Sequence, residues 1–199
     1  ADRIENIYAN WFLNELAVKC STSIKEELEE DWPIKGISRQ QDFFQTYIRP
    51  HVNKGERVFV IISDALRFEA AKELCDQLNK ERRGSAEIYA IQGVLPSATK
   101  FGMASLLPHK SIKLDSKNEI YIDDIRAEGT ENRHKILSAH VADSIALSYN
   151  DIANMSQKTL RQVVQGKKVV YIYHNLIDGT GDHWATERQV FAAVEDTFR

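Results

Sequence analysis

The stretch Val58-Phe59-Val60-Ile61-Ile62-Ser63-Asp64-Ala65-Leu66-Arg67 decides the fold of this chain. Its first five residues are all apolar, and most of them are β-branched. An apolar run without alternation is typical of a strand buried on both faces, so it predicts the central strand of a parallel sheet. After Asp64 the apolar residues recur at helical spacing, which predicts that a helix follows the strand.

The rest of the pattern repeats this alternation of strands and helices. Further strands are predicted at Ala86–Ile91 and Lys168–Tyr173, and Ile112–Leu114 with Glu119–Asp123 predicts a hairpin or a sheet edge. Helices are predicted around these strands, at 39–51, 100–107, 130–148, 152–164 and 184–199. This order predicts an α/β fold, a three-layer α/β/α sandwich with a mainly parallel sheet.

Residues 1–54 are predicted to form a helical arm that precedes an α/β domain at 55–199. The arm carries an apolar face that includes Ile4, Trp11 and Leu16, and Ser21–Ser23 is predicted to interrupt its helix. A break is expected at 31–36, where Pro33 and Gly36 stand. The first strand's helix is expected to end at 82–85.

Composition describes an ordinary globular protein and excludes several classes. The chain has 199 residues, of which 43% are hydrophobic and 28% charged, and its net charge of −3 excludes a uniformly basic nucleic-acid surface. No apolar run approaches the roughly 20 residues of a membrane span, and the first residues lack a secretory signal. Cys20 and Cys75 are far apart and have no metal-ligand spacing. These features predict a cytoplasmic protein with no membrane partner.

Polar residues follow the apolar strands in three places. Asp64 follows the first strand, Ser97 and Thr99 follow the second, and the third is followed by Asp178, Asp182 and His183. The carboxyl ends of parallel strands meet at one edge of a sheet, so these residues are expected to gather there. Carboxylates and histidine bind divalent cations, and a hydroxyl at a helix start favours an anionic substrate such as a phosphate.

Each of these residues also has a purely structural interpretation. Asp64 and Thr99 could cap the helices that they precede, and Asp178 and Asp182 could cap a local turn. His183 could be a surface histidine, and Arg67 could be a plain surface arginine. Other phosphate chemistries fit less well, because the chain has neither GxxxxGK[ST] nor a GxGxxG after a strand.

Three segments of the chain resemble the PglZ domain of the alkaline phosphatase superfamily. They are Ile62–Arg67, Leu95–Pro108 and Tyr171–Asp182, in that order, within residues 55–199. PglZ proteins are components of BREX phage-defence systems in bacteria and archaea. The resemblance implies a metal-dependent phosphatase or phosphodiesterase that works with other BREX proteins. Its substrate would be a phosphate ester, with nucleic acid and nucleotides included in that class.

The resemblance also implies roles for individual residues. Asp64 matches a metal ligand, Thr99 matches a nucleophile that also touches this metal, and Asp178 matches a ligand of a second metal. Apart from the roles that the resemblance implies, Ser97 is a competing hydroxyl, and Arg67 could hold phosphate or pair with a neighbouring acid. The implied cofactors are divalent ions, with zinc as the first choice and manganese or magnesium as alternatives.

The chain departs from the superfamily in two ways. Where the superfamily has a histidine four residues after the first ligand of the third motif, this chain has Asp182, which makes zinc less certain against manganese or magnesium. His183 is a candidate substitute, and His174 is a less well placed one. The superfamily's later Asp-His pair is not found before Arg199, so we expect a fragment with an incomplete metal site, weak metal binding and little or no catalysis. The alternative hypothesis is an inactive phosphatase-fold scaffold or ligand-binding module in a defence complex.

Overall fold

The computed structural model describes residues 2–30, 34–81, 84–183 and 185–198. Parts of three predictions fall outside these ranges: the break at 31–33, the helix end at 82–83, and the start of the last helix at Trp184. The chain divides into two compact units, Ala1–Arg39 with Ala90–Gln92, and Gln40–Tyr89 with Gly93–Arg199. None of the described helices combines the length and the apolar character that crossing a membrane requires.

The first unit is built on the predicted N-terminal helix. Helix α1 (Asp2–Asn6), a π-helical segment (Ile7–Leu13) and helix α2 (Asn14–Glu30) follow one another without a gap. The predicted interruption at Ser21–Ser23 is wrong. Thr22 and Ser23 each donate a hydrogen bond of 2.8 Å to the carbonyl four residues earlier, so their hydroxyls are satisfied within the helix.

The second unit contains both sheets and the remaining helices. Its strands are β1 (Val58–Ser63), β2 (Ile112–Leu114), β3 (Ile120–Ile122), β4 (Ile125–Arg126), β5 (Ser144–Ser148) and β6 (Val169–His174). Its α-helices are α3 (Arg49–Asn53), α4 (Phe68–Lys80), α5 (Thr99–Ser105), α6 (Thr130–His140), α7 (Tyr149–Ile152), α8 (Gln157–Val164), α9 (Leu176–Gly181) and α10 (Val190–Thr197). This mixed α/β architecture, preceded by an N-terminal helix, confirms the predicted fold class.

The parallel sheet has the order β1-β6-β5 within the described residues. The central strand is therefore β6, and the prediction that Val58–Ser63 would be central is wrong. Strand β6 has neighbours on both sides, and Val169, Val170 and Tyr171 are completely buried. In β1, Phe59 is 50% exposed and Ile61 is 66% exposed. Both strands are apolar runs, so the sequence pattern does not distinguish the edge from the centre.

Two further strand predictions need correction. Ala86–Ile91 forms no strand, and at its start the side chain of Asn79 binds both the N–H and the carbonyl of Ala86, each over 2.8 Å. The helix predicted at 130–148 ends at His140, and residues 144–148 of the predicted range form strand β5 instead. The backbone at Val141 turns extended (φ −140°, ψ 102°), and pairing with β6 then overrides the helical pattern.

The predicted hairpin is confirmed, and it packs over the core. Strands β2, β3 and β4 form an antiparallel sheet. Asp123, at the β3–β4 turn, accepts hydrogen bonds from the Ser111 N–H (2.8 Å) and from His140 Nε2 (2.8 Å). The buried core of this unit includes Phe44, Leu107, Ile122, Leu137 and Tyr171.

Candidate active site

Strands β1 and β6 end side by side at the carboxyl edge of the parallel sheet. Their register places Ser63 opposite His174. Ser63 Oγ and His174 Nδ1 lie 3.0 Å apart in hydrogen-bond contact. The N–H of Asp64 donates to the carbonyl oxygen of His174 over 2.9 Å. One side-chain bond and one backbone bond therefore join the two strand ends.

Asp64 leaves β1 in a tight turn and does not cap the following helix. Ala65 has a left-handed backbone (φ 61°), and its N–H donates to Asp64 Oδ1 over 3.1 Å. Helix α4 begins only at Phe68, and its N-cap is Arg67, without a side-chain cap bond. The capping interpretation of Asp64 is therefore wrong, and its half-buried carboxylate remains available to a ligand.

The short helix α9 follows β6 and carries two further carboxylates. Asp178 lies in its first turn, and Asp182 is its C-cap residue. The Asp182 N–H donates to the Asp178 carbonyl over 2.9 Å, so the two residues lie one helical turn apart. The N-cap of α9 is Asn175, without a side-chain cap bond. The carboxylates of Asp178 and Asp182 make no hydrogen bond to another described residue, so the local-cap interpretation finds no support.

Electrostatics link the three carboxylates. Partial burial raises the pKa of Asp178, and the negative charges of Asp64 and Asp182 raise it further. Like charges repel most when they share a poorly solvated space, and a cation placed among them relieves that repulsion. The structure thus brings Asp64, Asp178 and Asp182 to one edge of the sheet, as the sequence predicts.

The second motif begins helix α5, where Thr99 is the first helical residue. Its N-cap is Ala98, without a side-chain cap bond, so the interpretation of Thr99 as an N-cap is wrong. Thr99 is exposed, and within the described ranges its hydroxyl has no hydrogen-bond partner. Tyr171 in β6 fixes the far end of this helix by donating from its hydroxyl to the Leu106 carbonyl over 2.9 Å. Among the described residues, no hydrogen bond joins the Thr99 hydroxyl to the three carboxylates.

The other predicted site residues stay at the surface. Arg67, Ser97 and His183 are exposed. None of these three side chains forms a hydrogen bond or an ion pair with another described residue. The roles expected for them, substrate binding for Arg67 and Ser97 and metal binding for His183, stay predictions.

The donors at the sheet edge fit a divalent ion in type and charge. Carboxylate oxygens suit manganese and magnesium, and zinc also accepts them. Burial raises the pKa of Asp178, the charges of Asp64 and Asp182 raise it further, and such an ion would relieve the repulsion between these charges. Within the described part of the chain, however, no three histidine, cysteine, aspartate or glutamate side chains are close enough together to hold a metal. The edge therefore offers suitable donors without a closed coordination shell.

Sequence reasoning missed the link between Ser63 and His174. His174 is only 5% exposed, and its ring meets the edge of Tyr149 at a centroid distance of 4.6 Å and an angle of 75°. Burial lowers the pKa of His174, which favours the neutral ring. The available signal was that each residue is a polar group at the end of an apolar run. Their pairing needs the strand register, which the sequence does not specify.

Comparison with known proteins identifies related sequences. Residues 43–199 match the family model described as the BREX system PglZ alkaline phosphatase-like domain. The alkaline phosphatase-like protein PglZ of Bacillus cereus (strain H3081.97) is 54% identical over 198 residues, which is 100% of this chain and 23% of that protein. The alkaline phosphatase-like protein BrxZ of Escherichia coli O9:H4 (strain HS) is 40% identical over 197 residues, 96% of this chain and 22% of that protein. The chain thus spans less than a quarter of the length of these curated relatives.

Proposed function

This chain belongs to the PglZ family of BREX alkaline phosphatase-like domains, and on that premise we propose that it forms part of a metal-dependent phosphoric ester hydrolase. The observation that carries the proposal is the group of Asp64, Asp178 and Asp182 at the carboxyl edge of the sheet, where burial, and then the charges of Asp64 and Asp182, raise the pKa of Asp178. In an open α/β sheet this edge is where ligands bind.

Thr99 is the proposed nucleophile. Its Oγ1 forms a bond to phosphorus, the bond from phosphorus to the leaving oxygen breaks, and the departing alcohol takes up a proton. Water then cleaves the phosphothreonine, which releases phosphate and restores the hydroxyl. A divalent ion would supply charge neutralisation and a lower pKa for the hydroxyl. The exposure of Thr99 at the first turn of α5 leaves its hydroxyl open to a substrate.

The proposed substrates are phosphomonoesters or phosphodiesters, including nucleotides and nucleic acid. Arg67 and Ser97 are the proposed substrate contacts, and His183 is a proposed additional ligand. The net charge of −3 argues against tight nucleic-acid binding by these residues alone. We also propose a cytoplasmic location, and association with other BREX proteins, which the description of the family as part of a BREX system supports.

A non-catalytic scaffold is the second candidate. One observation favours it: the described residues contain no group of three or more histidine, cysteine, aspartate or glutamate side chains that could hold a metal. In this case the domain would contribute its fold to a defence complex, and its binding to partners would not depend on the Thr99 hydroxyl.

Substitution of Thr99 in the full-length protein separates these candidates. With manganese or zinc and p-nitrophenyl phosphate or its bis ester, we expect T99A to lower kcat by about a thousandfold or more, because the nucleophile is lost. T99S should keep part of the activity. The matched control is T130A, since Thr130 is likewise the first residue of a helix, α6. Hydrolysis by T99A at the wild-type rate, or no hydrolysis by wild type with any divalent metal, would contradict the enzyme proposal.

A further inference from the structure

We infer that Ser63 and His174 are positioning residues, whose hydrogen bond sets the separation of Asp64 and Asp178 and so the affinity for metal. This inference rests on the proposed metal site. It adds Ser63, and it gives His174, a less well placed candidate ligand in the sequence, a positioning role instead.

The hydrogen bond between Ser63 and His174 lies where the two segments that carry the proposed ligands leave the sheet. Ser63 and His174 are the last residues of β1 and β6, and they are register partners. Asp64 is the next residue after Ser63, and Asp178 follows His174 by four residues, on α9. Any shift of one strand end against the other would therefore change the distance between the two carboxylates.

The surroundings hold His174 in one place. His174 is only 5% exposed, and its ring makes an edge contact with the ring of Tyr149, the first residue of α7. The contact of 3.0 Å with Ser63 Oγ is the hydrogen bond formed by its Nδ1. A buried polar group that loses its partner costs free energy, so the pair strongly favours a single arrangement.

The backbone transmits this arrangement to Asp64. Its N–H donates to the His174 carbonyl over 2.9 Å, and its carboxylate accepts from the Ala65 N–H in a left-handed turn. The direction in which the Asp64 side chain leaves the strand therefore depends on the β1–β6 junction. In known metal sites, loss of such supporting contacts typically lowers metal affinity by about tenfold to a hundredfold.

The test measures manganese binding to the full-length protein by calorimetry, with Mn²⁺ alone as the probe. S63A and H174F remove the hydrogen bond, and H174F keeps an aromatic ring against Tyr149. S63T and H174N retain a hydrogen-bonding group at the same place. The matched control is S144A, because Ser144 is a buried serine at the opposite end of the same sheet, without a described partner.

We expect S63A and H174F to weaken Mn²⁺ binding by about tenfold or more, while S63T, H174N and S144A bind nearly as wild type does. If one of S63A and H174F is too unstable to assay, the other decides, and weak binding in both S63T and H174N would count against the inference. Wild-type affinity in S63A and H174F would overturn the inference and leave the proposed function intact. A wild-type protein that binds no Mn²⁺ would overturn both.

Discussion

Among the single residues, Asp178 gives the most direct support for the proposed metal site. Partial burial and the charges of Asp64 and Asp182 raise its pKa, so the folded metal-free protein resists ionising this carboxyl. A raised pKa in the folded state contributes stability that is complete at a pH below the unfolded-state pKa. This contribution is lost as the pH rises through the folded-state pKa. Without metal, ionised Asp178 therefore destabilises the fold at neutral pH.

Replacing Asp178 tests this point. In the presence of a chelator at pH 7, we expect D178N to have a higher Tm than wild type, because the repulsion is removed, and the difference should vanish at acidic pH. Addition of Mn²⁺ should raise the Tm of wild type and leave D178N nearly unchanged, since binding stabilises only a protein that has the site. Thermal denaturation at several pH values, with and without Mn²⁺, measures both effects. A lower Tm for metal-free D178N at pH 7 would contradict this account.

For single residues, the sequence indicates which residues belong to the candidate site better than it indicates which side chains contact one another. Asp64 and Asp178 were identified because each follows an apolar strand, and the structure places both at the same sheet edge. Their structural alternative, helix capping, was wrong for Asp64 because the left-handed turn at Ala65 delays α4 to Phe68. The partnership of Ser63 and His174 could not be predicted, since it depends on a register between residues 111 positions apart.

Among the elements, β6 is the one around which the second unit packs. Tyr171 is completely buried, and its hydroxyl donates to the Leu106 carbonyl just after α5. Tyr173, two residues on, is also buried, but its hydroxyl has no partner in the described part of the chain. The Arg133 guanidinium lies 4.6 Å from the centre of the Tyr173 ring. The Tyr171 hydroxyl thus has a hydrogen-bond partner, whereas the Tyr173 hydroxyl has none among the described residues.

This difference gives a matched pair of substitutions. We expect Y171F to lower the free energy of unfolding by about 1 to 2 kcal/mol, because the carbonyl of the half-buried Leu106 loses its partner. Y173F should change it by about 0.5 kcal/mol or less, since no described bond is lost. Chemical unfolding followed by fluorescence measures both values. Equal losses in the two variants would show that the Tyr171 bond does not anchor α5.

The element predictions succeeded where a pattern was local. The hairpin of β2 and β3 and the strand β6 were predicted within one or two residues of their observed bounds. The position of β1 at the sheet edge, the strand β5 and the unpaired segment Ala86–Ile91 were not predicted. Each of these features depends on where the backbone groups of the segment find hydrogen-bond partners. At Ala86, for example, the partner is the side chain of Asn79. The local periodicity of the sequence does not indicate such partners.

For the whole molecule, the family match and the positions of the carboxylates both support the proposed metal-dependent hydrolase. The family model covers residues 43–199, and this range contains Asp64, Thr99, Asp178 and Asp182. The chain spans less than a quarter of the length of its curated relatives. Hydrolase activity is therefore proposed for the full-length protein. The central claim for these residues is that their carboxylates bind a divalent ion.

Calorimetric titration of the full-length protein with Mn²⁺ and with Zn²⁺ tests this claim most directly, comparing wild type with D64A. The matched control is D76A, because Asp76 is an exposed acid on α4 that pairs with Lys72 and lies outside the site. We predict that wild type and D76A bind the ion alike and that D64A binds it at least about tenfold more weakly. Binding by D64A equal to that of wild type, or no binding by wild type to either ion, would contradict the account.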